Sequence, residues 1–179
     1  MIPRQEFLED ILFTFHKQKS QAEKAIEQID SDVIFFRKPA EFSNSIAIIM
    51  KHVAGNLKSR WTDFLTTDGD KSWRDRDDEF LITENDTRES LMAYWQDGWQ
   101  TLFRTLSQLT EADLTKIVTI REEPHKVYQA IHRSLSHIGY HVGQIVYLCR
   151  LLKTEDWKWL TIPPGQSDAF KSVGTYLKK

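Results

Sequence analysis

The chain of 179 residues contains little cysteine, proline or glycine: one, five and seven residues respectively. The single cysteine, Cys149, excludes an intrachain disulfide framework, and its apolar surroundings are typical of a small buried thiol. No apolar run approaches the ~18 residues that span a bilayer, and the N-terminal residues lack the apolar core of a signal peptide. These absences predict a cytoplasmic protein that does not enter a membrane.

An excess of one sign of charge is also lacking. The chain has 24 lysines and arginines against 26 acidic residues, which gives a formal net charge of −2. No basic block stands out, so nucleic-acid binding is not expected. With 40% hydrophobic and 28% charged residues, the composition predicts one ordinary domain over residues 1–179.

Apolar residues recur at helical spacing in four stretches, which predicts four long helices. The first covers about residues 4–29, and the second begins near Ser43 or Asn44, either of which can cap it. The third follows Thr87 as its cap, where Ser90 is not the acidic partner of a full capping box, and Gly98 within it predicts close packing against a neighbour. The fourth covers about residues 125–153. Their order predicts an all-α antiparallel four-helix bundle.

The connections between these helices differ in character. Residues 33–36, before Pro39, predict an extended connector. Residues 66–87 form a long polar loop, and Trp73 and Phe80 in it predict that it docks on the helices. Residues 114–123 alternate and predict a short strand or hairpin arm. The C-terminal tail, residues 157–170, is irregular, and its aromatic residues predict packing on the bundle.

Two of the six histidines stand four residues apart in the fourth helix. His137 and His141 therefore share a face, with Cβ atoms about 5–6 Å apart, so both imidazoles can reach one metal ion. They fall beside the apolar stripe, at the edge of the core, where water or substrate can enter. A bare pair at this spacing is common, so two ordinary helix histidines are the alternative.

The other histidines are judged by their neighbours. His52 lies on the flank of the second helix, where a lone histidine is usually structural or solvated, but His137 and His141 lack a third ligand. His132 is turned about 140° away from His137 and is excluded as a ligand. His16 lies among lysines and glutamine and is expected to be solvated or half-buried, and His125 is also expected not to bind metal.

The face of the fourth helix opposite its apolar stripe carries little charge and several small or aromatic residues. Such a strip suits contact with a second copy of the chain, which predicts a homodimer. The alternative is that the 66–87 loop or the tail folds over it. The residues of this strip are Gln129, Ser136, Tyr140, Gly143 and Tyr147.

The sequence resembles the DinB/YfiT-like superfamily of presumed metalloenzymes, and most closely its DUF1572 branch. The resemblance covers nearly the whole chain and is carried by NSIAIIMKHVAGNL (44–57), SRWTDFL (59–65), WRDRDDEF (73–80), HIGYHVGQI (137–145) and the tail from residue 162 to 170. It implies a four-helix bundle around a three-histidine metal site, whose roles map onto His52, His137 and His141. Some relatives are thiol-dependent transferases or isomerases that use bacillithiol or mycothiol, whereas this branch has no established reaction.

Three neutral imidazoles leave a divalent ion with open positions, as in catalytic rather than structural sites. Zinc, nickel and iron all accept imidazole, so the ligands do not select the metal. No acidic residue lies close to these histidines in sequence, so no general base is named. Gln144 and Asn56 lie on the histidine edges of their helices and are candidates to orient bound water or a ligand histidine.

Two function hypotheses remain. The first is a metal-dependent transferase or hydrolase acting on a small molecule, with a low-molecular-weight thiol as a candidate co-substrate. The second is a non-catalytic bundle that binds metal or serves as a stress-response module. Stoichiometric metal that is lost on substitution of His141 would favour the first.

Overall fold

The computed structural model describes residues 4–153 and 155–168 and is mostly helical. All four predicted long helices are present, and a short helix and a two-stranded sheet are added to them. In chain order the elements are α1 (Arg4–Ile26), α2 (Asp32–Phe36), α3 (Ile46–Trp61), α4 (Arg88–Gln108), β1 (Ile117–Ile120), β2 (Glu123–Lys126) and α5 (Val127–Leu152). Within the described residues, no helix combines the length and the apolar character that crossing a bilayer requires.

The segment before Pro39 corrects the sequence prediction, because residues 33–36 belong to α2 and are not extended. Proline restricts only the residue directly before it, so the restriction does not reach this segment. Helical geometry buries Phe35 completely, with the Arg88 guanidinium 5.1 Å from its ring centre. Burial of this ring therefore decides the local conformation. The helix before it, α1, ends at Ile26 and not near residue 29.

The caps of the second and third long helices also differ from expectation. Ser45 caps α3, and its Oγ accepts from the Ile48 N–H at 3.2 Å, whereas Ser43 bonds back to Ala40. At α4, Ser90 completes a capping box with Thr87 through its hydroxyl group, which accepts from the Thr87 N–H at 3.0 Å. A hydroxyl group here takes the place of the expected carboxylate.

Helix α3 contacts α4, α5 and α2, while α1 contacts α5 and α4. Gly98 of α4 allows a close approach to α3, because a Cβ there would stand 2.9 Å from the Ala54 carbonyl oxygen. This confirms the close packing predicted from Gly98. Because α3 is surrounded, 13 of its 16 residues are buried, including His52 at 5% exposure.

The hairpin of β1 and β2 leads directly into α5. His125 pairs with Val118 across the antiparallel ladder, so α5 begins at Val127 and not at residue 125 as predicted. The turn places Arg121 and Glu122 at positive φ, a conformation that costs free energy for residues with a Cβ. The Asp68 carboxylate accepts from both of their N–H groups at 2.9 and 2.8 Å, which holds the turn.

The described part of the tail, residues 157–168, lacks helix and strand and packs on the helices as predicted. Trp157 and Leu160 contact the hydrophobic core, and the Trp159 ring lies 4.1 Å from the Arg150 guanidinium. Gln28 accepts from the Lys158 N–H at 2.7 Å. Ala169 and Phe170, the last two residues of the predicted tail, lie outside the described residues. Cys149 is fully buried, as its position predicted.

Candidate metal centre

Helices α3 and α5 bring His52, His137 and His141 together. The Nε2 atom of His137 lies 3.4 Å from that of His52 and 3.2 Å from that of His141. One ring nitrogen from each histidine falls within 4.8 Å of the others, and among the described residues this is the single cluster of its kind. The residues predicted as ligands therefore meet at one point.

The far side of two of these rings is held by a hydrogen bond. His52 Nδ1 lies 2.8 Å from the Glu79 carboxylate, which also accepts two bonds from Arg74 at 2.7 and 2.8 Å. His141 Nδ1 lies 2.8 Å from Gln144 Oε1. A carboxylate and an amide oxygen can only accept, so both Nδ1 atoms donate, and in the neutral rings the lone pairs lie on Nε2. Asn56, the other candidate for orienting a ligand, lines the adjoining cavity instead.

The charge state of the histidines also suits metal coordination. Burial lowers the pKa of His137 to about 3, helped by the positive charge that protonated His141 and His52 would carry. Burial likewise lowers the pKa of His141, against the opposing effect of Gln144. Both rings are therefore neutral at pH 7, the form in which imidazole binds a metal ion.

The spacing of the nitrogens fits an ion. Metal–nitrogen bonds of about 2.0–2.1 Å at tetrahedral angles separate neighbouring nitrogen ligands by about 3.3 Å. The Nε2 distances of 3.2 and 3.4 Å bracket this value. Lone pairs that converge at such distances repel one another unless a cation or a proton lies between them. The donor set therefore fits a divalent metal.

The 66–87 loop supplies the anchor for His52. Its Phe80 ring lies 5.0 Å from the His52 ring, as the prediction of a docked loop requires, whereas Trp73 remains 54% exposed. Gly55, on α3 near His52, leaves room for the Glu79 carboxylate, since a Cβ at Gly55 would overlap Glu79 Oε1 and stand 2.8 Å from Cδ. Absence of a side chain on the helix therefore permits the carboxylate to reach the histidine.

A cavity of about 560 Å³ opens beside the cluster, with His52 and His137 in its wall. Tyr140 and Ser136 of α5 lie on the same cavity, and five arginines complete much of its lining. The arginines are Arg60, Arg74, Arg76, Arg121 and Arg133. This volume lies within the usual range for small-molecule sites.

The remaining histidines lie outside the cluster. His16 stacks on Phe103 at 3.8 Å between ring centres, and His132 packs edge-on against Phe7 at 5.6 Å. His125 is in β2, with Nε2 3.6 Å from Glu123.

Sequence reasoning missed Glu79, because it lies 27 residues from His52 in an irregular loop, and helical spacing does not predict the contacts of such a loop. It also missed Arg60 and Arg133, for which a signal existed. Arg60 lies eight residues after His52, and Arg133 lies four before His137. These spacings place each arginine on the same helix face as the histidine.

Comparison with known proteins identifies a matching family and a protein with a similar fold. The family described as a protein of unknown function, DUF1572, matches residues 3–166. A DinB-like protein of Bacillus subtilis, YjoA, superposes with a TM-score of 0.63 at 17% identity, over 84% of this chain and 96% of that one. Curated proteins give no match. Since the family match spans most of the sequence, the chain belongs to the DUF1572 family.

Proposed function

We propose that the chain is a divalent-metal protein, with His52, His137 and His141 as ligands, built as an antiparallel four-helix bundle. The observation that carries the proposal is the convergence of three Nε2 atoms while Glu79 and Gln144 hold two of the rings from behind. Histidine ligands characteristically donate their other ring N–H to such a partner. Contacts of α3 with α4 and α5, and of α1 with the same two helices, support the bundle.

A second reading needs no metal. His137 could donate from Nε2–H to the lone pairs of both His52 and His141, at 3.4 and 3.2 Å. The protein would then be a non-catalytic bundle, which is the second hypothesis drawn from the sequence. In that tautomer His137 Nδ1 is a buried acceptor, and it has no hydrogen-bond partner among the described residues. Leaving such a group unsatisfied costs about 1–3 kcal/mol, and metal binding does not remove this cost.

The cavity favours an enzyme over a purely structural site. When bound, a divalent ion with three imidazole ligands acts as a Lewis acid and lowers the pKa of a water or thiol placed on it. The chain itself supplies orientation: Glu79 fixes the His52 ring, and Gln144 fixes His141. Glu79 is a positioning residue, because His52 and Arg74 occupy its oxygens. We propose a transferase or hydrolase acting on a small molecule, with a low-molecular-weight thiol as a candidate co-substrate.

Metal content tests the first step. Protein purified without a histidine tag is expected to carry zinc, nickel or iron near one equivalent, measured by mass spectrometry of the metal. Single alanine variants of His52, His137 and His141 should lose it. Matched variants of His16 and His132 should retain it. If wild-type protein contains no metal and also fails to bind added zinc, the metal-site proposal is wrong and the non-catalytic alternative is favoured.

The reaction itself is tested by incubating metal-loaded protein with panels of thiols and electrophiles, and separately with ester and amide substrates. Turnover that disappears in the His141→Ala variant would identify the reaction class. Thiol consumption would identify a transferase, and turnover without thiol a hydrolase.

A further inference from the structure

We propose that the cavity beside the three histidines binds the oxyanion of a small-molecule ligand, a carboxylate or a phosphoryl group, through its arginines. The inference deepens the proposed function, on which it rests, by naming the substrate class of the same site. We call the lining arginines the arginine cluster; its members are Arg60, Arg74, Arg76, Arg121 and Arg133. Among the described residues that line the cavity, none is acidic.

Only part of this positive charge is neutralised. Three of the five guanidinium groups have a carboxylate partner; the pairs are Arg74–Glu79, Arg76–Asp77 and Arg121–Asp70. Among the described residues, no carboxylate lies within ion-pair distance of Arg60 or Arg133. A chain with a net charge of −2 has therefore concentrated unneutralised cations at one cavity. Such a cavity attracts small anions.

Arg60 is the strongest single indication. It is 8% exposed, and its Nη1 atom finds no hydrogen-bond partner among the described residues. Its guanidinium lies against Gly69, where a Cβ would fall 2.5 Å from Nη1. Burial lowers the pKa of Arg60 to about 10, and the charges of Arg133 and Arg74 act in the same direction, against the opposing charge of Asp70. A buried, unpaired cation is costly, and an anionic ligand would remove that cost.

Helical register places the two unpaired arginines at a useful distance from the histidines. Arg60 follows His52 by two turns of α3, about 12 Å along the axis, and Arg133 precedes His137 by about 6 Å along α5. Arg60 and Arg133 nevertheless line the same cavity as His52 and His137, so one ligand in this cavity can approach both pairs of side chains. A ligand that reaches both the arginines and the histidines would therefore carry two functional groups. Its oxyanion would be several bonds away from the group that faces the histidines.

Ser134 adds a neutral partner. It is 6% exposed and lines the cavity, and its Oγ has no hydrogen-bond partner in the described part of the chain. Buried polar atoms without partners are rare in proteins, and three residues that line this cavity carry one: Arg60, Ser134 and His137. Arginine presents paired N–H groups that match the oxygens of carboxylates and phosphates. A guanidinium and a hydroxyl group together form a donor set for an oxyanion.

The test is isothermal titration of the full-length chain with inorganic phosphate and, separately, with succinate, in low-salt buffer with chloride as the reference anion. Each titration is made on protein as purified and again after dialysis against a chelator. The informative variant is Arg133→Gln, since Arg133 is exposed and its loss should not disturb folding. Arg104→Gln is the matched control, because Arg104 is also an exposed helix arginine but borders a different cavity. Arg60→Gln is added where circular dichroism shows that it folds.

We expect wild-type protein to bind at least one anion, and Arg133→Gln to weaken that binding by about tenfold or more. Arg104→Gln should leave it unchanged. Preference for phosphate identifies a phosphoryl ligand, and preference for succinate a carboxylate. Failure of both anions to bind, or equal affinity in the two arginine variants, overturns the proposal. Anion binding that persists in chelated protein lacking any affinity for metal would refute the proposed function alone.

Discussion

Replacing Glu79 by glutamine tests whether the carboxylate behind His52 controls metal affinity. The two side chains have nearly the same shape, so the change removes one charge without creating a cavity. Glu79 is 5% exposed and accepts from His52 at 2.8 Å and from Arg74 at 2.7 and 2.8 Å. A glutamine has one acceptor oxygen for these three donors, and its amide N–H groups must face a cation or the imidazole.

The magnitude follows from these contacts. Loss of the carboxylate makes His52 a weaker base and frees its ring to rotate, and changes of this kind lower metal affinity about 10–100-fold. That range corresponds to about 1.4–2.7 kcal/mol of binding free energy. Arg74, whose side chain is 3% exposed, also loses its charged partner. The free energy of unfolding of the variant is therefore expected to be lower than that of wild type, by up to about 3–5 kcal/mol.

The assay is competition for zinc between the protein and a chromophoric chelator at pH 7.5, with folding checked by circular dichroism. Glu84→Gln serves as the control, since Glu84 lies exposed in the same loop, and should bind zinc as wild type does. A folded Glu79→Gln variant with wild-type zinc affinity would refute the role assigned to the carboxylate.

Four further substitutions probe the site and its surroundings. Gly55→Ala places a methyl group against the Glu79 carboxylate, so we expect a loss of about 1–3 kcal/mol in denaturant unfolding together with weaker zinc binding. Gly143→Ala, where a Cβ meets nothing within 4 Å, should instead stabilise by up to about 1 kcal/mol; equal effects of the two would contradict the steric argument. His137→Gln should flatten the acid dependence of metal-free protein. The folded pKa of His137 is lowered to about 3 from 6.5, so the unfolded chain binds the extra proton between these values and stability falls as pH falls. Between pH 6.5 and 5 this loss is about 2 kcal/mol, and an unchanged pH profile in the variant would refute it. Gly143→Arg tests the proposed homodimer and should give a folded monomer by light scattering; a wild-type protein that is already monomeric at tens of micromolar ends that proposal.

The charge-poor strip of α5, on which the homodimer prediction rests, is exposed. Tyr140 and Tyr147 are 65% and 66% exposed, and the other members of the strip are also exposed. In the described part of the chain, neither the 66–87 loop nor the tail covers them. The described residues therefore do not support the internal explanation for this strip, and the dimer itself stays a prediction.

Local and periodic features of the protein follow from the sequence alone. Amphipathic spacing predicted the four long helices, because a helix repeats every 3.6 residues and buries one face whatever its neighbours are. The same periodicity placed His137 and His141 on one face, and it excluded His132. Gly98 predicted close helix packing for an equally local reason: a residue without a side chain in a helix must have a compensating contact.

Only the tertiary structure could decide what lies behind His52 and what surrounds the cavity. Glu79 reaches His52 because a polar loop docks on α3 at Gly55, and no periodic pattern encodes where an irregular loop will dock. Residues 33–36 became helical because Phe35 is buried by partners distant in sequence. Arg60, Arg121 and Arg133 come from three separate elements, and their charges meet only where those elements pack. Spacing along one helix is set by backbone geometry, whereas contact between elements depends on side-chain packing across the whole chain.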